Sequence, residues 1–371
     1  MPQVGPVASR APVTGWVDRR FTTVCEAFGQ LLDDERETGA AVAVIRDGQL
    51  VLDLRGGWQD AARSRPWAPD TLTPLFCAGK PVAAVAVLML ASQGVIDVDA
   101  PVVRYWPSFA TGGKDQVLVR HILTHSAGLP AFPIPRPAHS LPRWDVLAHD
   151  LAAAVLEWQP GTAVGEHALT FGHLLGEIVR RVDGRPLGVY LRDQIARPHN
   201  LDIALGLTPT QAARTADVEY SSPQWYELTV GQPFTVRQRA LNNPNGCLDP
   251  HVLNSPWCRR ASMPAVNIHA TAPALAHLYA SLAAGSGPLD SDLTAAMTTA
   301  HVHGYDLVLD RPIRRGLGVT IEADNQWGIA AIGGNLVAVN PSLRQTFVYL
   351  TRRLGDHTAA QTILNATRSC G

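Results

Sequence analysis

This sequence of 371 residues is short of the features that mark several large protein classes. Its 31 basic and 32 acidic residues nearly cancel, and charged residues make up only 17% of the chain. No electrostatic footprint for nucleic acid or an anionic membrane surface is therefore expected. The longest apolar run, Pro81 to Ala91, is about half the length of a membrane span and reads as a buried core helix. Met1 to Pro12 is polar, with no basic stretch leading into an apolar core, so no secretory leader is expected there. The five cysteines (Cys25, Cys77, Cys247, Cys258 and Cys370) are odd in number and form no C-x-x-C. That usage points to a reduced, cytoplasmic setting without a disulfide framework, with Cys247 and Cys258 flanking a loop as free thiols. G-x-S-x-G, P-loop, dinucleotide and H-E-x-x-H patterns are all missing, which removes the common rival enzyme classes and leaves no cofactor expected. His121 and His125 stand four apart, but no acidic or cysteine ligand accompanies them, so they are read as structural and no metal is expected. His301-Val302-His303 is assigned to a loop, and Asn365-Ala366-Thr367 to a chance match with a glycosylation acceptor.

What is present is ample core material, 46% apolar residues, with 28 prolines and 31 glycines marking many defined loops. Ala40 to Leu54 is two apolar runs joined by Asp47-Gly48, a tight hairpin signal. Lys80 to Gln93 reads as a helix with Pro81 in its first turn and Gly94 as its stop. Val119 to Thr124, Leu169 to Val182, Leu187 to Ala196, Ala272 to Ala284 and His357 to Ser369 carry helical patterns, with Thr271 an N-cap. Leu207 to Pro264 reads as a long Pro/Asn-rich connection. Gly316 to Ala323, Trp327 to Ile332, Leu336 to Val339 and Thr346 to Thr351 read as an antiparallel meander. Strands at both ends and helices between them imply an α+β arrangement, with one sheet built from about residues 15–60 and 268–371 and a mostly helical lobe over about 61–267.

Cys77-Ala78-Gly79-Lys80 opens the most apolar helix. Residues three apart share a helix face, so this spacing sets a thiol beside an amine. A helix N-terminus and a neighbouring ammonium both favour the thiolate. On the tetrapeptide alone, a buried structural cysteine beside a lysine that snorkels to solvent is the better explanation, because C-x-x-K is a weak pattern.

The wider stretch Leu75-Phe76-Cys77-Ala78-Gly79-Lys80-Pro81 resembles the S-x-x-K helix of the class C β-lactamase-like serine hydrolases, a superfamily that includes esterases, penicillin-binding-protein relatives and transacylases. The resemblance continues through Val119 to Pro130 (VRHILTHSAGLP), Thr170 to Glu177, Gly184 to Leu187, Pro264 to Asn267 and Gly316-Leu317-Gly318. It runs in the family's order from about Val17 to Thr367. It implies a β-lactamase/transpeptidase-like fold and a site in the cleft between the lobes. Three positions depart from the family. Cys77 stands where the family has its serine, Glu166-His167-Ala168 where it has Y-x-N or Y-H-A, and Ile329-Ala330-Ala331 where it has K-T-G or H-x-G. Of the family's side-chain catalysts only Lys80 remains. Decay would leave an arbitrary residue at the nucleophile position. Cysteine instead preserves nucleophilicity, which favours a retooled site over a non-catalytic binding scaffold.

The resemblance implies attack by Cys77 on a small-molecule ester or thioester donor. The oxyanion would be held by the backbone N–H of Cys77 and of Ile332, and Lys80 would serve as proton partner. Glu166 is the candidate base for the second nucleophile or a partner that orients Lys80, with His167 the alternative base. Thioesters favour amines over water more than oxygen esters do, so the expected activity is acyl transfer to an amine or alcohol acceptor, as in amide formation during antibiotic or other secondary-metabolite assembly. Ester or amide hydrolysis by the same site is the alternative. Phe132, Trp144, Trp158, Trp225, Tyr226 and Trp257 are expected to be mostly core, with some lining an apolar pocket.

Overall fold

The computed structural model describes residues 11–370, so most of the polar Met1–Pro12 stretch lies outside the described residues. Nine antiparallel strands form the main sheet. Their order is Val13–Val17, Gln49–Gly57, Gly39–Arg46, Gln345–Thr351, Leu336–Asn340, Trp327–Ala330, Thr320–Ile321, Arg311–Arg315 and Val302–Asp306. The Asp47-Gly48 hairpin forms, with both residues at positive φ (52° and 75°) as a tight turn requires.

Side chains along the central strand Gln345–Thr351 alternate between two cores. Phe347 and Tyr349 face one core with the Thr22–Asp33 and Thr358–Arg368 helices, while Val348 and Leu350 face a larger one. Into the larger core runs the Lys80–Ser92 helix, whose residues Val82 to Leu88 are all fully buried. A helix apolar on every side must be enclosed on every side. Each buried valine or leucine contributes about 1.5–3 kcal/mol of burial free energy, so this helix is the structural axis of the molecule. Pro81 occupies its first turn and Thr271 caps the Ala272–Ala283 helix by accepting from the Ala274 amide. No helix among the described residues is long and apolar enough to cross a membrane.

Three segments differ from the sequence expectation. The region 207–264 contains five short helices rather than one connection, and four of them are capped by Thr208, Thr235, Asp249 and Ser255. Three of those caps precede proline, a helix start rather than a loop signal. His301-Val302-His303 enters an edge strand, paired with Arg311–Arg315, whose proline and three arginines disguise a hairpin with one solvated face. Only Thr320 and Ile321 of the expected Gly316–Ala323 strand pair. Gly318 instead turns at φ +86°, where a Cβ would meet the Ala84 Cβ at 2.4 Å. That glycine lets the chain after Arg315 close onto the Lys80 helix. Asn365 lies within the last helix.

Candidate active site

Cys77 sits in a one-turn 3-10 helix, Phe76–Gly79, that feeds the Lys80–Ser92 helix. The turn hangs from a neighbouring segment, Leu75 N–H donating to Ile268 O (2.7 Å) and Phe76 N–H to Val266 O (2.9 Å). Phe76 is at φ +50°, a left-handed conformation that a bulky residue adopts only under the constraint of its surroundings. Of the five cysteines, all free, Cys77 alone is partly exposed; burial pushes the Cys247 and Cys258 thiols up, that of Cys258 to about 12.

Lys80 is fully buried, and its Nζ lies 3.3 Å from Cys77 Sγ. The same ammonium is paired with Glu166 Oε1. The other carboxylate oxygen, Oε2, pairs with Arg315, which also contacts Asp306 Oδ2 (3.1 Å) and Thr320 Oγ1 (3.1 Å). Asp306 Oδ1 in turn accepts from the amides of Glu166 (2.9 Å), Val308 (3.0 Å) and Leu309 (2.9 Å). Four buried side chains thus form a quartet, Lys80–Glu166–Arg315–Asp306, whose formal charges sum to zero. Burial opposes the charge on Glu166, but Arg315 and Lys80 overcome it and hold the carboxyl well below its usual range. Burial likewise opposes the Lys80 ammonium, yet Cys77 and Glu166 raise its affinity for the proton.

His167 is in the same neighbourhood but spends both ring nitrogens. Nδ1 faces Gly165 O at 2.7 Å, and Nε2 accepts from the Leu129 amide at 3.2 Å, an assignment that follows from the partners. Burial lowers its pKa to about 4. No lone pair is left for a substrate proton. His125 Nδ1 accepts from the His167 amide (2.9 Å), its ring stacks on Phe171, and burial drives its pKa well below 6.5. His121 accepts from Leu118 N–H through Nδ1 at 3.2 Å. No group of three or more His, Cys, Asp or Glu able to hold a metal occurs among the described residues.

Ile332 follows the Trp327–Ala330 strand, which packs against the Cys77 turn. The amides of Cys77 and Ile332 are not spent on a backbone acceptor among the described residues. Asn335, fully buried, staples the two walls. Its Nδ2 donates to Pro74 O (2.9 Å) just before the Cys77 turn, and its Oδ1 accepts from Thr351 N–H (2.9 Å). A cavity of about 530 Å³ lies beside Leu129, Phe132 and Asn243, next to the segment that holds His167. A larger one of about 700 Å³ lies against Ala280, Ala283 and Trp327. Among the aromatics, Phe132 lines the smaller cavity, Trp225 is buried, and Trp144 stacks on His173.

Sequence reasoning named Cys77, Lys80, Glu166, His167 and Ile332; it missed Arg315, Asp306 and Asn335. One signal was available for Arg315. A carboxylate at a buried motif position needs a cation beyond a lysine already committed to the nucleophile.

The sequence matches the Beta-lactamase family over residues 25–368. It is 36% identical over 302 residues to the Esterase/beta-lactamase LipL of Mycobacterium tuberculosis, covering 77% of this chain and 67% of that protein. It is 31% identical over 229 residues to Esterase EstB of Burkholderia gladioli, covering 57% of this chain and 55% of that one. Among solved structures, a family VIII carboxylesterase superposes with a TM-score of 0.88 at 29% identity, covering 97% of this chain and 100% of that one. A penicillin-binding protein homologue from Caulobacter crescentus gives 0.83 at 32%, with the same coverage. With the family model matched over nearly the whole length and the fold shared with these esterase and penicillin-binding-protein structures, the chain belongs to the Beta-lactamase family.

Proposed function

We propose that the protein is a hydrolase of small neutral esters that works through an acyl-thioester on Cys77. The observation that carries this reading is the partly exposed Cys77 thiol lying 3.3 Å from a buried ammonium, and the resemblance of its helix to the S-x-x-K helix supports it. Relatives whose names describe esterases support the choice of ester.

The sulfur attacks the ester carbonyl as the thiolate, hydrogen-bonded by the Lys80 ammonium. The Cys77 and Ile332 amides receive the oxyanion, with Asn335 holding their two chain segments in register. The alkoxide leaves with a proton from Lys80. The now neutral amine then accepts a proton from water as water attacks the thioester, which restores the ammonium and frees the acid. Glu166 anchors Lys80 through both halves. Its carboxylate, with both oxygens in ion pairs, is a poor base, and so is His167.

Sulfur at the nucleophile position favours a second reading, transfer of the acyl group from Cys77 to an amine. Incubation with a p-nitrophenyl ester followed by intact-mass spectrometry tests the first. The acyl mass is expected on the wild type and not on Cys77→Ala, with turnover down roughly 1,000-fold or more. An equal mass shift in both proteins removes Cys77 from the reaction. Decay of the trapped acyl-enzyme in water against decay in millimolar amine separates hydrolysis from transfer.

A further inference from the structure

We propose that Arg315 is a positioning residue that sets the charge felt by the Cys77–Lys80 pair, acting entirely through Glu166. The inference deepens the acyl-thioester reading and rests on it for its catalytic meaning, although its test needs no ester.

Lys80 lies between two anionic claims, the Cys77 sulfur on one side and Glu166 on the other. If Glu166 were free to give Lys80 its whole charge, the ammonium would have little left for a thiolate. Arg315 takes up the second oxygen of that carboxylate and is itself balanced by Asp306. The titratable and charged groups around Lys80 and Glu166 are then Cys77, His125, His167, Asp306 and Arg315. The two histidines are neutral, since both accept hydrogen bonds from backbone amides. Asp306 Oδ1 accepts from three backbone amides, and its Oδ2 faces Arg315. Of the two cations paired with Glu166, Arg315 is therefore the one whose removal changes the site's charge without touching the nucleophile or its lysine. Without it the buried site carries a net negative charge, and a thiolate would have to form against it. The geometry for this role is tight. Arg315 is 2% exposed, and its strand is brought against the Lys80 helix by the Gly318 turn.

The test is the alkylation of Cys77 by iodoacetamide, followed by mass spectrometry over a range of pH. The four other thiols are buried, so the folded protein takes one label. Arg315→Gln is expected to slow labelling at pH 7 roughly tenfold and to displace the pH–rate curve upward by about one unit. Arg315→Lys keeps the charge and is expected to label within about twofold of wild type. The double variant Arg315→Gln/Glu166→Gln removes both charges and is expected to recover the wild-type rate or exceed it, a non-additivity that a structural role would not produce. Unfolding acts in the opposite direction, since it speeds labelling and exposes all five thiols. Labelling of Arg315→Gln at the wild-type rate, or equal slowing of the single and double variants, would overturn the proposal. If the labelling pattern holds while no ester acylates Cys77, the acyl-thioester reading fails and the role of Arg315 stands.

Discussion

Glu37 and Glu166 are equally buried, 4% exposed each, and their chemistry runs in opposite directions. Glu37 lies under the central strands, where Tyr349 O–H donates to Oε2 (2.8 Å) and the Thr38 amide to Oε1 (2.9 Å). Burial outweighs these neutral donors and raises its pKa. Glu166 lies between Lys80 and Arg315 and is held well below the usual range. Burial alone therefore says nothing about whether a carboxyl is charged; the partners decide.

The largest expected effect breaks the comparison at the cleft. Glu166→Gln leaves the buried cluster one anion short, with Lys80 losing its carboxylate partner, and is expected to cost about 3–5 kcal/mol in urea denaturation, because the desolvation already incurred is no longer offset. Next comes pH. His167 and His173, both buried, have pKa values of about 4, and that of His269 is about 3, burial being the first cause in each. Between pH 6.5 and 4 the unfolded chain binds protons that these rings refuse, so stability falls as pH falls. The expected loss from pH 7 to pH 5 is about 1–2 kcal/mol for each ring, read from denaturation midpoints. Glu166 stays charged in both states over most of that window, because its folded value lies below its unfolded one. A protein equally stable at both pH values would mean these rings are protonated in the fold. The smallest effect is at Glu37. Its raised folded pKa gives stability that is full in acid and lost as pH rises, so Glu37→Gln is expected to gain about 1 kcal/mol or less at pH 7 and less at pH 5. A loss at pH 7 would show that the Glu37 carboxylate is stabilising.

The parts legible in the sequence are those written locally. The Asp47-Gly48 hairpin, the Lys80 helix and the i, i+3 meeting of Cys77 with Lys80 all depend on neighbours a few residues away. The quartet does not. Lys80 and Glu166 are 86 residues apart, and Glu166 and Arg315 are 149 apart, so no period or spacing announces them. Resemblance to the family placed Glu166 at a working position but had nothing to say about Arg315, which precedes the matched Gly316-Leu317-Gly318. His167 shows the converse. Its position in the motif recommended it as a base, and only its two hydrogen bonds, to Gly165 and Leu129, reveal that both nitrogens are occupied. The short capped helices of 207–264 went unread for a milder reason. Proline after Thr208, Asp249 and Ser255 starts a helix, although in a stretch rich in asparagine and proline it reads as the end of one.

The charge balance of the quartet also reaches beyond the cleft, to how a substrate arrives. Two positive and two negative groups held within one buried cluster cancel at long range, and the whole chain carries a formal charge of only −1. Ions in solution then have almost no field to screen, so the encounter rate with a neutral substrate should be the same in dilute buffer and in concentrated salt. On the acyl-thioester reading, selection then rests on what fits against the sulfur and not on what a field draws in.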